Sequence, residues 1–133
     1  LKKITKQTRL QEVLDMCIDF YETEHYIFVH GWIPIVENCY LYDSEWRKAR
    51  KERWQKARWV NPVEMYRYKI YEQNKTIICG HWHCSAFWHE QNPTEYSEFG
   101  EKENFEPFIT KNVIALDACT VYTHKVNVVV LED

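Results

Sequence analysis

Apolar residues recur at Leu10, Val13, Leu14, Cys17, Ile18 and Tyr21, the spacing i, i+3, i+4, i+7, i+8 and i+11 of one helix face. That period predicts a helix over about residues 8–23. The pattern then changes. Tyr26-Ile27-Phe28-Val29-His30 is a short run of β-formers ended by Gly31, apolar on both faces as buried parallel strands are. Pro34 closes that element. Asp43-Ser44 reads as a helix cap, and the helix it starts runs through Glu45–Arg58. Lys75–Gly80 is a second buried strand. Glu90–Glu106 is acidic and broken by Asn92-Pro93 and Gly100, with Pro107 behind it, which marks a surface excursion. Val113–Asp117 and Val126–Leu131 close the chain as two strands about a turn near Thr123–Lys125. The mixed order of helices and strands predicts an α/β (α+β) fold.

Composition narrows the class. A chain of 133 residues suits one domain. Its 45% hydrophobic and 16% aromatic content can fill a packed core and disfavours a disordered chain. Seventeen basic residues against twenty acidic ones leave a net charge of −3, so no global charge draws the chain to nucleic acid or anionic membrane. No apolar run reaches the roughly 18–20 residues of a membrane span. The basic Leu1–Lys6 is not followed by the apolar core of a signal peptide. The five cysteines, Cys17, Cys39, Cys79, Cys84 and Cys119, are odd in number, scattered and without any Cys-x-x-Cys. Buried thiols in a reducing cytoplasm are the expectation.

The chemistry concentrates in Cys79-Gly80-His81-Trp82-His83-Cys84. The chain has three glycines, and two adjoin a histidine at the C-terminal end of a predicted strand: His30-Gly31 and Gly80-His81. Open α/β sheets place ligands at such ends, and glycine there lets the backbone turn sharply and approach a ligand closely. In extended backbone His81 and His83 project to the same side, and His30 brings a third imidazole from a neighbouring strand end. One histidine beside a strand is usually a satisfied polar side chain; three on two strand ends point to a metal. His25, His89 and His124 lack that context and read as surface or outer-sphere residues. A structural zinc knuckle needs four ligands at tighter cysteine spacing, whereas Cys79 and Cys84 are five apart with no second knuckle. Alternation puts Cys79 on the His81 side, one step back into the core, and Cys84 opposite; both read as small buried hydrophobes.

Three blocks, "YIFVHGWIP" (26–34), "KTIICGHWHCS" (75–85) and "NVIALDACTVYTHKVNVVVLED" (112–133), together resemble the C-terminal half of a calcineurin-like metallophosphoesterase, of the bacterial branch related to serine/threonine protein phosphatases. They match that family's strand-end V-H-(A/G)-G block, its G-H-x-H block and its closing strand pair, in order and spacing over most of residues 26–133. "ARWVNP" (57–62) is similar to a W-x-D-P stretch of eukaryotic members, with Asn61 in place of the acid. The resemblance implies a four-layer α/β/β/α sandwich holding two divalent transition metals (Mn, Fe or Zn) between its sheets. It implies hydrolysis of a phosphate monoester, on a phosphoprotein or a nucleotide, by a hydroxide that the two metals activate. It also implies that His30 and His81 bind the second metal and His83 the first. Two cations about 3.5–4 Å apart suit such cleavage by clamping the phosphoryl oxygens, and imidazole suits these borderline metals.

The family's first-half blocks, D-x-H, G-D-x-x-D-R-G and G-N-H-(D/E), do not occur in this chain. They would supply the bridging aspartate, the remaining carboxylates, an asparagine and an acid-assisting histidine. With no methionine at position 1, the expectation is one partial domain over residues 1–133, a C-terminal fragment inert by itself. Its partners are then a phosphate ester substrate and the missing N-terminal half of the same domain. No catalytic residue beyond the metal ligands is assigned, and Arg58 is the candidate phosphate contact. Half of a two-sheet sandwich leaves strand edges and an apolar face open to pairing.

Two other classes compete. Residues 44–58 carry Arg47, Lys48, Arg50, Lys51, Arg53, Lys56 and Arg58 against Glu45 and Glu52, with Trp46 and Trp54 interleaved and Trp59 just beyond. Bases on phosphates and indoles on nucleobases would make this a nucleic-acid helix; the preferred reading is a cover helix that buries its tryptophans under arginine stems. The third class is a non-catalytic pseudoenzyme or interaction module with a three-histidine metal site. The acidic Glu90–Glu106 stretch repels phosphoanions, so it is expected to shape selectivity rather than bind phosphate.

Overall fold

Runs of β-branched and aromatic residues build the centre of one sheet. The computed structural model describes residues 12–13, 16–36 and 40–132. Its strands are β1 (Phe20–Glu22), β2 (Tyr26–Val29), β3 (Thr76–His83), β4 (Phe108–Ile109) and β5 (Val113–Asp117). They form a five-stranded mixed sheet in the order β1-β2-β3-β5-β4. The central trio β2, β3 and β5 is parallel, and β1 and β4 pair antiparallel at the edges. The chain is therefore a mixed α/β domain, with β2, β3 and β5 where the sequence predicts strands.

Period-two alternation divides the sheet into two faces. Ile27, Ile77 and Val113 are aligned across the parallel trio and point into the main core. Trp32, Trp46, Met65, Phe87 and Phe108 meet them there, all fully buried. Each such side chain contributes about 1.5–3 kcal/mol relative to exposure. The polar ends of the indoles are satisfied: Trp32 Nε1 donates to the Ile70 carbonyl (2.9 Å) and Trp46 Nε1 to Glu72 (3.1 Å). Phe28, Ile78 and Ile114 form the opposite row.

Among the described residues, besides the helical Glu12, Val13 and Met16, the helices are α1 (Lys51–Ala57), α2 (Pro62–Arg67), α3 (Cys84–Gln91) and α4 (Thr120–Thr123). The predicted helix over Glu45–Arg58 is two pieces, a 3-10 turn at Trp46–Lys48 and then α1, parted by extended Ala49 and Arg50. A continuous helix would set Trp46 and Trp54 about 12 Å apart along its axis. The break instead closes both indoles on Phe20, with all three ring centroids within 5.0–5.8 Å of one another. Asp43 accepts from Glu45 N at 2.9 Å in the turn that leads into the first piece. Helix α2 starts with Asn61 accepting from Val63 N (2.9 Å) and Pro62 in the first turn.

Three expectations are corrected. Residues 20–22 are strand rather than the end of a helix over 8–23, because Phe20 turns into the Trp46–Trp54 pocket and Glu22 pairs with Arg47 and Lys75; the first part of that helix lies largely outside the described residues. The strand expected over Lys75–Gly80 runs on to His83, and helix α3 fills the stretch before the acidic excursion, where the sequence pattern marks no element. Val126–Leu131 is not a strand. The edge of β5 is taken by β4, and Val126–Leu131 makes no backbone–backbone hydrogen bond among the described residues. Val126, Val128 and Val130 stand 75%, 81% and 89% exposed, while Asn127 ties the segment to the Phe105 carbonyl at 2.7 Å. No helix among the described residues is long and apolar enough to cross a membrane.

Candidate functional site

Because β2, β3 and β5 are parallel, their C-terminal ends share one edge of the sheet. His30 follows β2, His81 and His83 end β3, and Asp117 ends β5. Gly80 N donates to the His30 carbonyl (2.9 Å), which ties the two histidine-bearing ends together. Gly31 is forced by close approach. A Cβ there would meet the backbone carbonyl oxygens of Arg58 at 2.5 Å and Ala57 at 2.7 Å. The C-terminal end of α1 is thereby docked on the turn after His30, and Trp32 N donates to the Ala57 carbonyl at 3.0 Å.

β3 does not keep its alternation to the end. Cys79 pairs with Ala115 and His83 with Asp117, so four steps of β3 span two steps of β5. His81 takes up the excess with φ +64°, a left-handed conformation that costs a non-glycine residue on the order of 1–2 kcal/mol. Its imidazole then lies 5.0 Å from that of His30, centroid to centroid. Trp59 packs at near right angles on both rings, 5.2 Å from His81 and 6.3 Å from His30. Burial lowers the pKa of His81, the nearby His30 lowers it further, and Asp117 opposes both. Burial and His30 thus both favour the neutral imidazole, the form in which it donates a lone pair to a metal.

His83 has other surroundings. Its Nε2 meets Glu98 Oε1 at 2.8 Å, and its ring contacts Phe99 at 4.8 Å and Phe105 at 6.2 Å and stacks on Trp82. Nδ1 has no partner among the described residues. The structure therefore brings His30 and His81 together and turns His83 toward the acidic loop, against the shared side that strict alternation predicts. Arg58 is engaged by Asp19 at 2.5 Å, which offsets its charge. Cys79 and Cys84 are buried as expected: burial pushes the Cys79 thiol up and Cys84 to about 11, and Cys84 donates to the Ala115 carbonyl.

The indoles of the basic segment are not open for stacking on bases. Trp46 and Trp54 are core residues, and Arg47 and Arg53 pair with Glu22 and Asp43. Asp117, Trp59 and Glu98 were not legible as site residues, since each reaches the histidines only through the fold. An acid closing a strand beside two histidine-bearing strand ends was the one available signal, and it pointed to Asp117.

The donors fit one side of a metal centre. Two imidazoles converge, yet no group of three or more His, Cys, Asp or Glu side chains among the described residues is placed to hold an ion. The described residues do not complete a metal shell. Comparison with protein-family models, curated proteins and solved structures returns no match to this chain.

Proposed function

We propose that this chain carries the histidine side of a metal-dependent phosphoesterase centre. The observation that carries this reading is the His30–His81 pair, two imidazoles 5.0 Å apart at the ends of adjacent parallel strands. His81 accepts a strained backbone to reach that position. In this proposal His30 and His81 donate to one Mn, Fe or Zn ion and His83, through Nδ1, to the other. The remaining ligands, and the second sheet of a four-layer sandwich, come from a first half bearing D-x-H and G-D-x-x-D motifs.

When bound, such a metal pair supplies charge to clamp a phosphoryl group and lowers the pKa of water. The chain's own residues do simpler things. Gly31 lets α1 dock behind His30, Trp59 packs on both imidazoles, and partial burial with the nearby His30 favours the neutral form of His81, whose lone pair is then available. The incomplete shell also suits a non-catalytic binding module, so the test separates the two. Zn2+ titrated calorimetrically into the chain is expected to bind, and to lose affinity in His30→Ala and in His81→Ala. Binding unchanged in both variants overturns the metal reading. Turnover of p-nitrophenyl phosphate with added Mn2+ is expected to be absent, and its presence overturns the half-site reading. Restoration of turnover by the first half supplied in trans supports the phosphoesterase over the module.

A further inference from the structure

We propose that the cavity beside Trp59 binds the base of an adenine or cytosine nucleoside phosphate; this deepens the phosphoesterase reading and rests on it for the phosphate. The cavity has a volume of about 450 Å³, within the range of small-ligand sites. Trp59 lines it and also packs on His30 and His81, so one indole is shared between the cavity and the histidine pair. That indole is 72% exposed. A large aromatic ring held rigidly by its neighbours yet open to water is a stacking platform for a flat ligand. Tyr40 supplies a second aromatic wall, and Val60 an apolar one.

Two polar groups select among flat ligands. Asn61 spends its side-chain oxygen on Val63 N, which leaves Nδ2 to donate. Glu64, three residues on, lines the same cavity, and its carboxylate has no partner among the described residues. A donor beside an acceptor complements a ring nitrogen next to an exocyclic amine. Adenine and cytosine present that edge; uracil, held with its ribose in the same direction, sets a carbonyl against the Glu64 carboxylate and its N3–H against the Asn61 donor, so both pairings are lost. Lys56 lines the cavity as a cation. Trp59 lines the cavity and its ring centroid is 5.2 Å from that of His81, so in this proposal a base stacked on the indole carries its 5′-phosphate toward the histidine pair.

The test is calorimetric binding to the full chain of adenosine, AMP, uridine, phenyl phosphate and orthophosphate. Adenosine is expected to bind, AMP to bind more tightly, and uridine at least about tenfold more weakly. Trp59→Leu, at an exposed position, is expected to keep the melting temperature and weaken adenosine about tenfold or more. Glu64→Gln is expected to erase the preference for adenosine over uridine. Absence of adenosine binding, binding unaltered by Trp59→Leu, or phenyl phosphate competing as well as AMP each overturns the nucleobase site. Equal affinity for adenosine and AMP, with the Trp59 dependence intact, leaves the base site standing and counts against phosphate recognition by the histidine pair.

Discussion

His81 and His83 stand two residues apart on one strand and end in different surroundings. His81 lies among His30, Trp59 and the end of β5, with a left-handed backbone and a pKa pushed down. His83 begins helix α3 from extended backbone (φ −66°, ψ 146°) and is taken by Glu98 and the aromatic residues Phe99 and Phe105. The same spacing in a regular strand would have put both rings on one side. The irregularity between Cys79 and His83 breaks that period, and bulges of this kind re-aim side chains at sheet ends and sites. Proximity in sequence therefore says less about which groups cooperate than the register of the neighbouring strand does.

The sharpest way to break the His81 side is Gly31→Ala. The new Cβ collides with backbone at 2.5–2.8 Å, which no side-chain rotation relieves. α1 must separate from the strand end, and urea denaturation is expected to show a loss of about 3 kcal/mol. Gly80→Ala is the control on the same strand end, because its Cβ would lie 3.7 Å from the His30 carbonyl, an ordinary contact. A small change there and a large one at Gly31 would locate the rigidity at the α1 docking point. Equal changes would show that the close approach is not what holds His30.

Metal affinity divides the two histidines next. His81→Ala is expected to lower Zn2+ affinity on the order of 100-fold, the upper end of what losing an outer-sphere partner costs. His83→Ala in this chain is expected to change it less than about fivefold, because its ring lies among Glu98, Phe99 and Phe105, apart from the His30–His81 pair. Equal losses would mean that His83 swings back to share an ion with His81.

The parallel trio was readable because Tyr26–Val29, Thr76–Cys79 and Val113–Asp117 are runs of β-formers that no helix period explains. Their shared orientation then brings His30 and His81 to one edge, which is why that pair could be anticipated. What decides the rest is pairing across the sheet. Val126, Val128 and Val130 alternate as a strand should, yet β4, only Phe108–Ile109, holds the edge of β5 instead. Two residues leave no periodic signal. Nor does a left-handed histidine, so the separation of His83 from His81 could not be read from spacing. The break at Ala49 was equally hidden, because it follows from Phe20 lying between two indoles whose meeting is tertiary.

Backbone strain gives a smaller contrast at His81 itself. His81→Gly is expected to be about 1 kcal/mol more stable than His81→Ala, because φ +64° suits glycine and penalises alanine. Thermal melting of the two variants measures the difference directly. Alanine equal to or better than glycine would mean that the left-handed turn is not retained once the imidazole is gone.

The smallest effect is the dependence on pH, and it tests whether His30 and His81 act as a pair. The folded state disfavours protonated His81, chiefly through burial and then through His30. Between the ordinary value near 6.5 and the lowered one, the unfolded chain binds more protons than the folded chain. Stability is therefore expected to be fully present above about pH 6.5 and to fall as pH drops below it. The acidic groups whose pKa values are lowered by arginine partners, such as Glu22 at about 2, lose their contribution only below about pH 4.5. A window from pH 7.5 to 5.5 thus isolates the histidine term. In that window His81→Ala should flatten the slope. His30→Ala should reduce it by removing the neighbour that disfavours protonation of His81, and Asp117→Asn should steepen it by removing the opposing carboxylate. A slope unmoved by His30→Ala would show that burial and Asp117, and not the adjacent ring, set the shift of His81.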